Sequence, residues 1–186
     1  MKIVTEADFL ISDWSGGTTT QLFISPEGAS LAGRDFDWRI SSAVIQTEES
    51  DFTLFDGYER ILIPLKGKLE MEHQTPNGVI RQYVNQFELA RFSGSWPTKG
   101  KGKLTDFNLI FKPSYHPKVQ ISYFKEETRA RLEETTMVLY LLTGSVGIND
   151  QLIQAPVLIL NNEHQKIEIT YFAESRVIFI EMNLVG

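Results

Sequence analysis

The chain contains no cysteine, only three histidines and few helix signals in its 186 residues. Without cysteine there is no disulfide scaffold, zinc ribbon, iron–sulfur cluster or thiol nucleophile. His73, His116 and His164 lie 43 and 48 residues apart and form no His-x-His pair. A metal centre draws several imidazoles or carboxylates onto one ion. This spacing does not, so each histidine reads as a surface residue, and neither metal nor cofactor is expected. Positive charge is also scarce: 18 Lys and Arg stand against 24 Asp and Glu, a formal net charge of −6. That argues against a general nucleic-acid binder, which needs a basic face. The one basic run, Lys99-Gly-Lys-Gly-Lys103, reads as a mobile solvated loop. No apolar run approaches the roughly 18 residues of a membrane span, and acids interrupt the first eight residues where a signal peptide would be apolar. The expectation is a cytoplasmic protein without a membrane partner.

Strand signals dominate what is present. Short apolar or alternating runs recur, among them residues 21–25, 38–46, 60–65, 67–72, 104–111 and 119–124 in the first two thirds. Residues 137–142, 146–148, 157–160, 167–172 and 176–182 continue the series. Turn residues such as Asp56-Gly57, Pro76-Asn-Gly78 and Asn149-Asp150 separate them. Many short strands with regular turns predict an all-β sandwich or barrel. Residues 125–134 allow either a helix or a strand, since Glu127 and Arg131 are four apart while residues 127, 129, 131 and 133 also alternate in charge.

An internal repeat divides the chain. Ile61-Leu-Ile-Pro-Leu-Lys-Gly67-Lys-Leu-Glu-Met71 parallels Val138-Leu-Tyr-Leu-Leu-Thr-Gly144-Ser-Val-Gly-Ile148, with the glycines 77 residues apart. Each copy is an apolar strand, a polar residue, a glycine and a second strand. The joint Pro113-Ser-Tyr-His-Pro117 lies between the copies. The pattern resembles the double-stranded jelly roll of the cupin superfamily, and its duplication resembles a bicupin. Two lobes are expected, residues 1–113 and 114–186, with the first strands free to cross between them.

The unusual polar residues cluster in the first half. On a strand through Phe36-Asp-Trp-Arg-Ile-Ser-Ser-Ala-Val44, Arg39, Ser41 and Ala43 share one face. Arg60 opens the strand bearing Ile61, Ile63 and Leu65 on its other face. In Leu104-Thr-Asp-Phe-Asn-Leu-Ile-Phe111, Asp106 and Asn108 oppose an aromatic side, Phe107, Leu109 and Phe111, expected to pack between the sheets. Converging, Arg39, Ser41, Arg60, Asp106 and Asn108 would hold two guanidiniums, one carboxylate, one amide and one hydroxyl. Arginine forks pair bidentately with carboxylates or phosphates. The excess positive charge suits a small anionic, amide-bearing ligand. The competing reading is a structural ion pair between Asp106 and Arg39 or Arg60 in a barrel mouth. Trp14-Ser-Gly-Gly-Thr18 reads as a turn or bulge; its functional alternative is backbone approach to a ligand, with Trp14 or Thr18 nearby.

Taken together, Trp14-x-Gly-Gly17-Thr18, Phe36-Asp-Trp-Arg39-Ile-Ser-x-Ala43, Asp51-Phe-x-x-Phe55-x-Gly57-x-x-Arg60, Leu65-x-Gly67 and Asp106-Phe-Asn108-Leu resemble the HutD/Ves family. The resemblance implies a bicupin without the usual cupin metal ligands, associated with bacterial histidine utilisation. It implies a first-lobe pocket for a small carboxylate, formylglutamate- or urocanate-like, as the partner, with a homodimer allowed. The expected function is a non-enzymatic metabolite-binding protein that senses or buffers a pathway intermediate. The alternative is a metal-independent cupin enzyme, an isomerase or hydrolase acting on a small acidic amide. It is disfavoured because two nearby arginines should lower the pKa of Asp106. The ligand-binding set is Arg39, Ser41, Arg60, Asp106, Asn108, Trp14 and Thr18, with no catalytic residue assigned.

Overall fold

A computed structural model describes residues 1–135 and 137–184. The strands are β1 (Lys2–Val4), β2 (Leu10–Trp14), β3 (Gly17–Ser25), β4 (Trp38–Ile45), β5 (Glu49–Asp51), β6 (Glu59–Lys66) and β7 (Leu69–Thr75). They continue as β8 (Gly78–Val84), β9 (Ala90–Ser93), β10 (Thr98–Lys101), β11 (Leu104–Phe111), β12 (Tyr115–Phe124) and β13 (Thr128–Leu132). The last six are β14 (Val138–Thr143), β15 (Ser145–Ile148), β16 (Gln151–Gln154), β17 (Val157–Leu160), β18 (Ile167–Tyr171) and β19 (Ser175–Leu184). The one helical turn among the described residues is a short 3-10 segment, Glu6–Asp8. No helix among them is long and apolar enough to cross a membrane. The segment that sequence left undecided is strand β13, held against β18 from Thr128↔Tyr171 to Leu132↔Ile167.

The strands form two compact units, each a jelly roll of two sheets. Phe9–Pro113 form one. Its six-stranded sheet runs β2-β3-β4-β11-β6-β9 and its four-stranded sheet β5-β10-β7-β8. The core between them includes Ile45, Leu62, Leu69, Met71, Phe92 and Leu104. The other unit joins Met1–Asp8 to Ser114–Gly186, with sheets β1-β17-β14-β19-β12 and β13-β18-β15-β16 around Leu139, Leu141, Val146, Ile159, Ile169 and Val177. The first eight residues therefore do not belong with the lobe of residues 9–113. β1 pairs with β17 (Lys2↔Leu160, Ile3↔Ile159, Val4↔Leu158), where its apolar residues complete a sheet edge.

Two other expectations are corrected. Lys99-Gly-Lys-Gly-Lys103 is not a mobile loop. Lys99–Lys101 lie in β10, paired on both sides (Lys99↔Asp51 and Lys99↔Glu72), with the lysine side chains in solvent. The aromatic side of β11 is buried, but away from the inter-sheet space of its lobe. Asp106, Asn108 and Ile110 take the inner face, and Ile110 packs with Phe36, Phe55 and Tyr58. Phe107, Leu109 and Phe111 are also fully buried, so β11 is covered on both faces. Period-two alternation gives the two faces of a strand but not which one looks inward.

The repeat corresponds to a shared backbone device. β6 pairs with β11 through Thr105↔Lys66 and Asp106↔Pro64, leaving Leu65 bulged; β14 pairs with β19 through Leu141↔Val177 and Thr143↔Arg176, leaving Leu142 bulged. Two residues after each bulge stands a glycine of positive φ, Gly67 (φ 84°) and Gly144 (φ 82°), where the chain turns from one sheet into the other. Only glycine adopts that conformation at low cost, and a bulge bends the strand at the corner. A Cβ on Gly67 would also stand 2.8 Å from the Lys103 carbonyl oxygen. Gly67→Ala is therefore expected to cost about 1–3 kcal/mol. Thermal unfolding should show a drop of several degrees, and an unchanged midpoint would refute the role assigned to this corner.

Candidate functional site

The inner face of the six-stranded sheet in the 9–113 unit carries the site. Arg39, Ser41 and Ala43 alternate along β4, Arg60 begins β6, and Asp106 and Asn108 alternate along β11. The β4–β11–β6 register sets Ser41 and Leu62 on either side of Asn108 and places Ala43 opposite Asp106. Side chains that are distant in sequence thus meet over a cavity of ≈ 200 Å³. Arg39, Ser41, Arg60, Asp106, Asn108 and Trp14 all line it. Thr18 does not. It alternates to the opposite face of β3, where its hydroxyl donates to Asp13 Oδ1 at 2.8 Å, and Thr19 lines the cavity in its place. Ser15 and Gly16 form the β2–β3 turn, and the Trp14 indole folds so closely over Gly16 that a Cβ there would enter the ring.

The charges are held without a direct ion pair. Arg39 donates from Nε to Gln21 Oε1 (2.7 Å) and from Nη1 to Ser41 Oγ (2.9 Å). Arg60 donates from Nη2 to Asn108 Oδ1 (2.8 Å), and its Nη1 makes only a long 3.5 Å contact with the Thr53 carbonyl. Asn108 Nδ2 donates to Asp106 Oδ2 (2.9 Å), and the Ala43 amide donates to Asp106 Oδ1 (2.9 Å). Arg60 is 7% exposed, Arg39 5% and Asp106 2%. The structural ion pair offered as the competing reading is absent among the described residues: Asn108 stands between guanidinium and carboxylate as a relay. Two donor groups are left over. Arg39 Nη2 has no acceptor among the described residues, and Arg60 Nε is buried without one. Buried polar groups are nearly always bonded; Arg60 Nε is an exception, enclosed by protein, while Arg39 Nη2 is the unfilled donor on a guanidinium that lines the cavity.

Aromatic faces take part of the load. The Arg60 guanidinium lies over Phe52 (5.0 Å), Phe92 (5.3 Å) and Phe55 (5.8 Å). Such contacts contribute roughly 0.5–2 kcal/mol each when desolvated. Residues 52–58 are tied down by backbone bonds from Phe52 N to Thr98 O (2.9 Å) and Phe55 N to Gly94 O (2.7 Å). Sequence reasoning did not select Gln21, Phe52, Phe55 or Phe92. The one signal available was the Asp51-Phe-x-x-Phe55 spacing just ahead of Arg60.

Burial governs the titration of this cluster. It pushes Arg39 and Arg60 down to about 10, so both stay protonated near neutral pH. Burial also pushes Asp106 up to about 6, outweighing the Ala43 amide, Arg60, the Asn108 amide and Arg39, which all act to lower it. The expectation that two arginines would hold Asp106 low is thus reversed, because neither is in direct contact. The two guanidiniums and Asp106 leave one excess positive charge among the buried groups of the walls; Asp51, exposed to solvent at the cavity, balances it in the full lining.

His73 corrects the surface assignment of the histidines. It is 1% exposed, packed against Phe92 with the rings tilted (4.8 Å between centroids), with Nδ1 bonded to Thr98 Oγ1 at 2.8 Å. Its position on the inner face of β7 buries it, and burial lowers its pKa. His116 and His164 are exposed. No cluster of three or more His, Cys, Asp or Glu able to hold a metal occurs among the described residues. The donors in the cavity, two guanidiniums against one buried carboxylate, do not fit the cation that many cupins hold. In the other unit a cavity of ≈ 540 Å³ is walled by Phe124, Tyr171 and Phe179, without a buried guanidinium.

The HutD family pattern matches residues 6–178. The chain belongs to the HutD family. It is 27% identical over 156 residues to a 21.2 kDa protein of the hutC 3′ region in Pseudomonas putida, covering 80% of this chain and 77% of that protein. Among solved structures, the PA5104 protein of Pseudomonas aeruginosa PAO1 superposes with a TM-score of 0.78 at 21% identity, over 98% of both chains. HutD from Pseudomonas fluorescens SBW25 gives 0.69 at 17%, also over 98% of both. The Escherichia coli pirin YhhW, solved with nickel(II), gives 0.70 at 11%, over 99% of both. These likenesses establish the bicupin fold of this HutD chain.

The raised Asp106 has a measurable consequence. A group whose pKa is higher folded (about 6) than ordinary (3.8) favours the folded state most at low pH, and that contribution is lost as pH rises through about 6. Acidification from about pH 7 to about pH 4.5 should therefore stabilise the native protein relative to Asp106→Asn by about 2 kcal/mol. The lowered pKa of His73 acts in the opposite sense but is common to both proteins and cancels. Urea unfolding across this range reads the difference; a pH-independent difference would rule out the raised value.

Proposed function

We propose that this HutD protein binds a small carboxylate metabolite without transforming it, acting in the cytoplasm to sense or buffer an intermediate of histidine or related amino-acid catabolism. Family membership and the cupin-like relatives support a HutD-like role in histidine utilisation. The observation that carries the ligand class is the pair of buried guanidiniums, each with an unfilled donor and neither with a carboxylate partner among the described residues. A ligand carboxylate would supply an acceptor for Arg39 Nη2 and a counter-charge for the two buried guanidiniums. The cavity of ≈ 200 Å³ suits a metabolite rather than a polymer. Formylglutamate- and urocanate-like acids have this chemistry.

One observation favours a second reading. A carboxyl held at about 6 lies in the range useful for proton transfer, so Asp106 could serve as the base of a metal-independent isomerase or hydrolase acting on a small acidic amide. Product formation that is lost in Asp106→Asn would select that reading.

Thermal shift with urocanate, formylglutamate, histidine and glutamate tests the binding reading. At a concentration 100-fold above Kd, binding adds about 2.7 kcal/mol, which raises the melting midpoint by several degrees. Arg60→Met keeps an apolar stem among the phenylalanines and should fold, yet lose the response. A flat response of the unaltered protein to every acid would defeat the proposal.

A further inference from the structure

Asp106 lines the same cavity as Arg39 and Arg60, and its environment has an unusual arrangement. Each carboxylate oxygen accepts one bond, from the Ala43 amide and the Asn108 side chain, so each retains acceptor capacity. Among the described residues no cation contacts it directly. The charged groups nearest to it come from both neighbouring strands, Arg39 on β4 and Arg60 on β6; Pro64 and Ala43, its register partners, are uncharged. From the four-stranded sheet, Asp51 on β5 reaches the cavity and His73 on β7 lies beyond Phe92, where its influence falls on Arg60.

An anion entering this cavity therefore brings a second negative charge beside a buried carboxylate that has no ion-pair partner of its own. Like charges in a common site disfavour double ionisation. Resting on the carboxylate-binding reading above, we infer that the pocket takes up its anion together with one proton: a carboxylate seated on Arg39 and Arg60 is accompanied by protonation of Asp106. The proton comes from solvent and forms an O–H bond on a carboxyl oxygen of Asp106, through a lone pair the protein leaves unused. The resulting carboxylic acid becomes a donor to the bound carboxylate, while Asn108 Nδ2 and the Ala43 amide keep their acceptors. Asp106 is thus a specificity-determining residue. It favours acids that carry no cationic group near it, because an ammonium at the same place would hold Asp106 ionised and reverse the proton flow.

By linkage, an anion that raises the affinity of Asp106 for a proton is itself bound more tightly when the proton is present. Formate is a suitable probe, since it has one carboxylate and stays ionised throughout. NMR of the Asp106 carboxyl carbon would follow its titration with and without saturating formate, while the Arg39 and Arg60 Nε–H signals report occupancy. Reading Asp106 at its own carbon separates it from His73. The expected result is an upward displacement of the Asp106 midpoint by about one unit or more, with formate affinity rising up to about tenfold per unit of acidification across the titration. In Asp106→Asn, formate affinity should lose this pH dependence. Formate that occupies the arginines while the Asp106 midpoint stays still or falls overturns the inference and leaves carboxylate binding standing. Formate that fails to perturb the arginines at any pH, together with a flat thermal response to the larger acids, overturns both.

Discussion

The first lobe is built around a positive charge that it does not neutralise by contact. Two guanidiniums are removed from water on one sheet face, and the single buried carboxylate nearby is reached only through the Asn108 amide. Desolvating an ion costs several kcal/mol even after relaxation, so the surroundings must offset that cost. They do so with neutral groups: the Gln21 amide oxygen, the Ser41 hydroxyl, the Asn108 amide oxygen and three phenylalanine rings. Neutral partners leave the charge available to a visitor, whereas a salt bridge would have spent it.

This arrangement depends on the jelly roll. Residues 39, 60 and 108 converge because β4, β11 and β6 are adjacent in one sheet, although β11 follows β6 by more than 35 residues of chain. The bulge at Leu65 and the left-handed turn at Gly67 carry the chain from this sheet to the one opposite, where β7 places His73 and β10 frames the loop that carries Phe52. The second unit repeats the bulge and turn at Leu142 and Gly144 but fills the corresponding strand β14 with Leu139, Tyr140 and Leu141. The corner recurs in both units, while the polar residues of β4, β6 and β11 line a cavity in one.

Much of this was legible in the sequence because it follows period two. Arg39 with Ser41, and Asp106 with Asn108, stand out as polar pairs at strand spacing within apolar runs, and the glycine corners stand out by duplication. What could not be read depends on tertiary geometry. Thr18 and Thr19 are chemically alike, and only the register of β3 on β4 decides which one faces the cavity. His73 sits among polar neighbours in sequence, yet its alternation on β7 buries it beneath Phe92. Very short strands such as β1 and β5 are fixed by pairing rather than by their own pattern, which is why the sequence leaves open the lobe to which Lys2–Val4 belongs.

The titration of Asp106 shows why charge composition alone misleads. Two arginines to one aspartate suggest a low carboxyl pKa, since opposite charges stabilise the ionised form. That holds when the charges touch. Here each arginine bonds to an uncharged group, so Coulomb attraction acts at a distance and, even with two hydrogen bonds, does not offset the desolvation of Asp106. The same separation that leaves the guanidiniums open to a ligand leaves the carboxylate open to a proton. Unpaired guanidiniums and a near-neutral carboxyl are thus two results of one choice, the insertion of an amide where an ion pair would otherwise form.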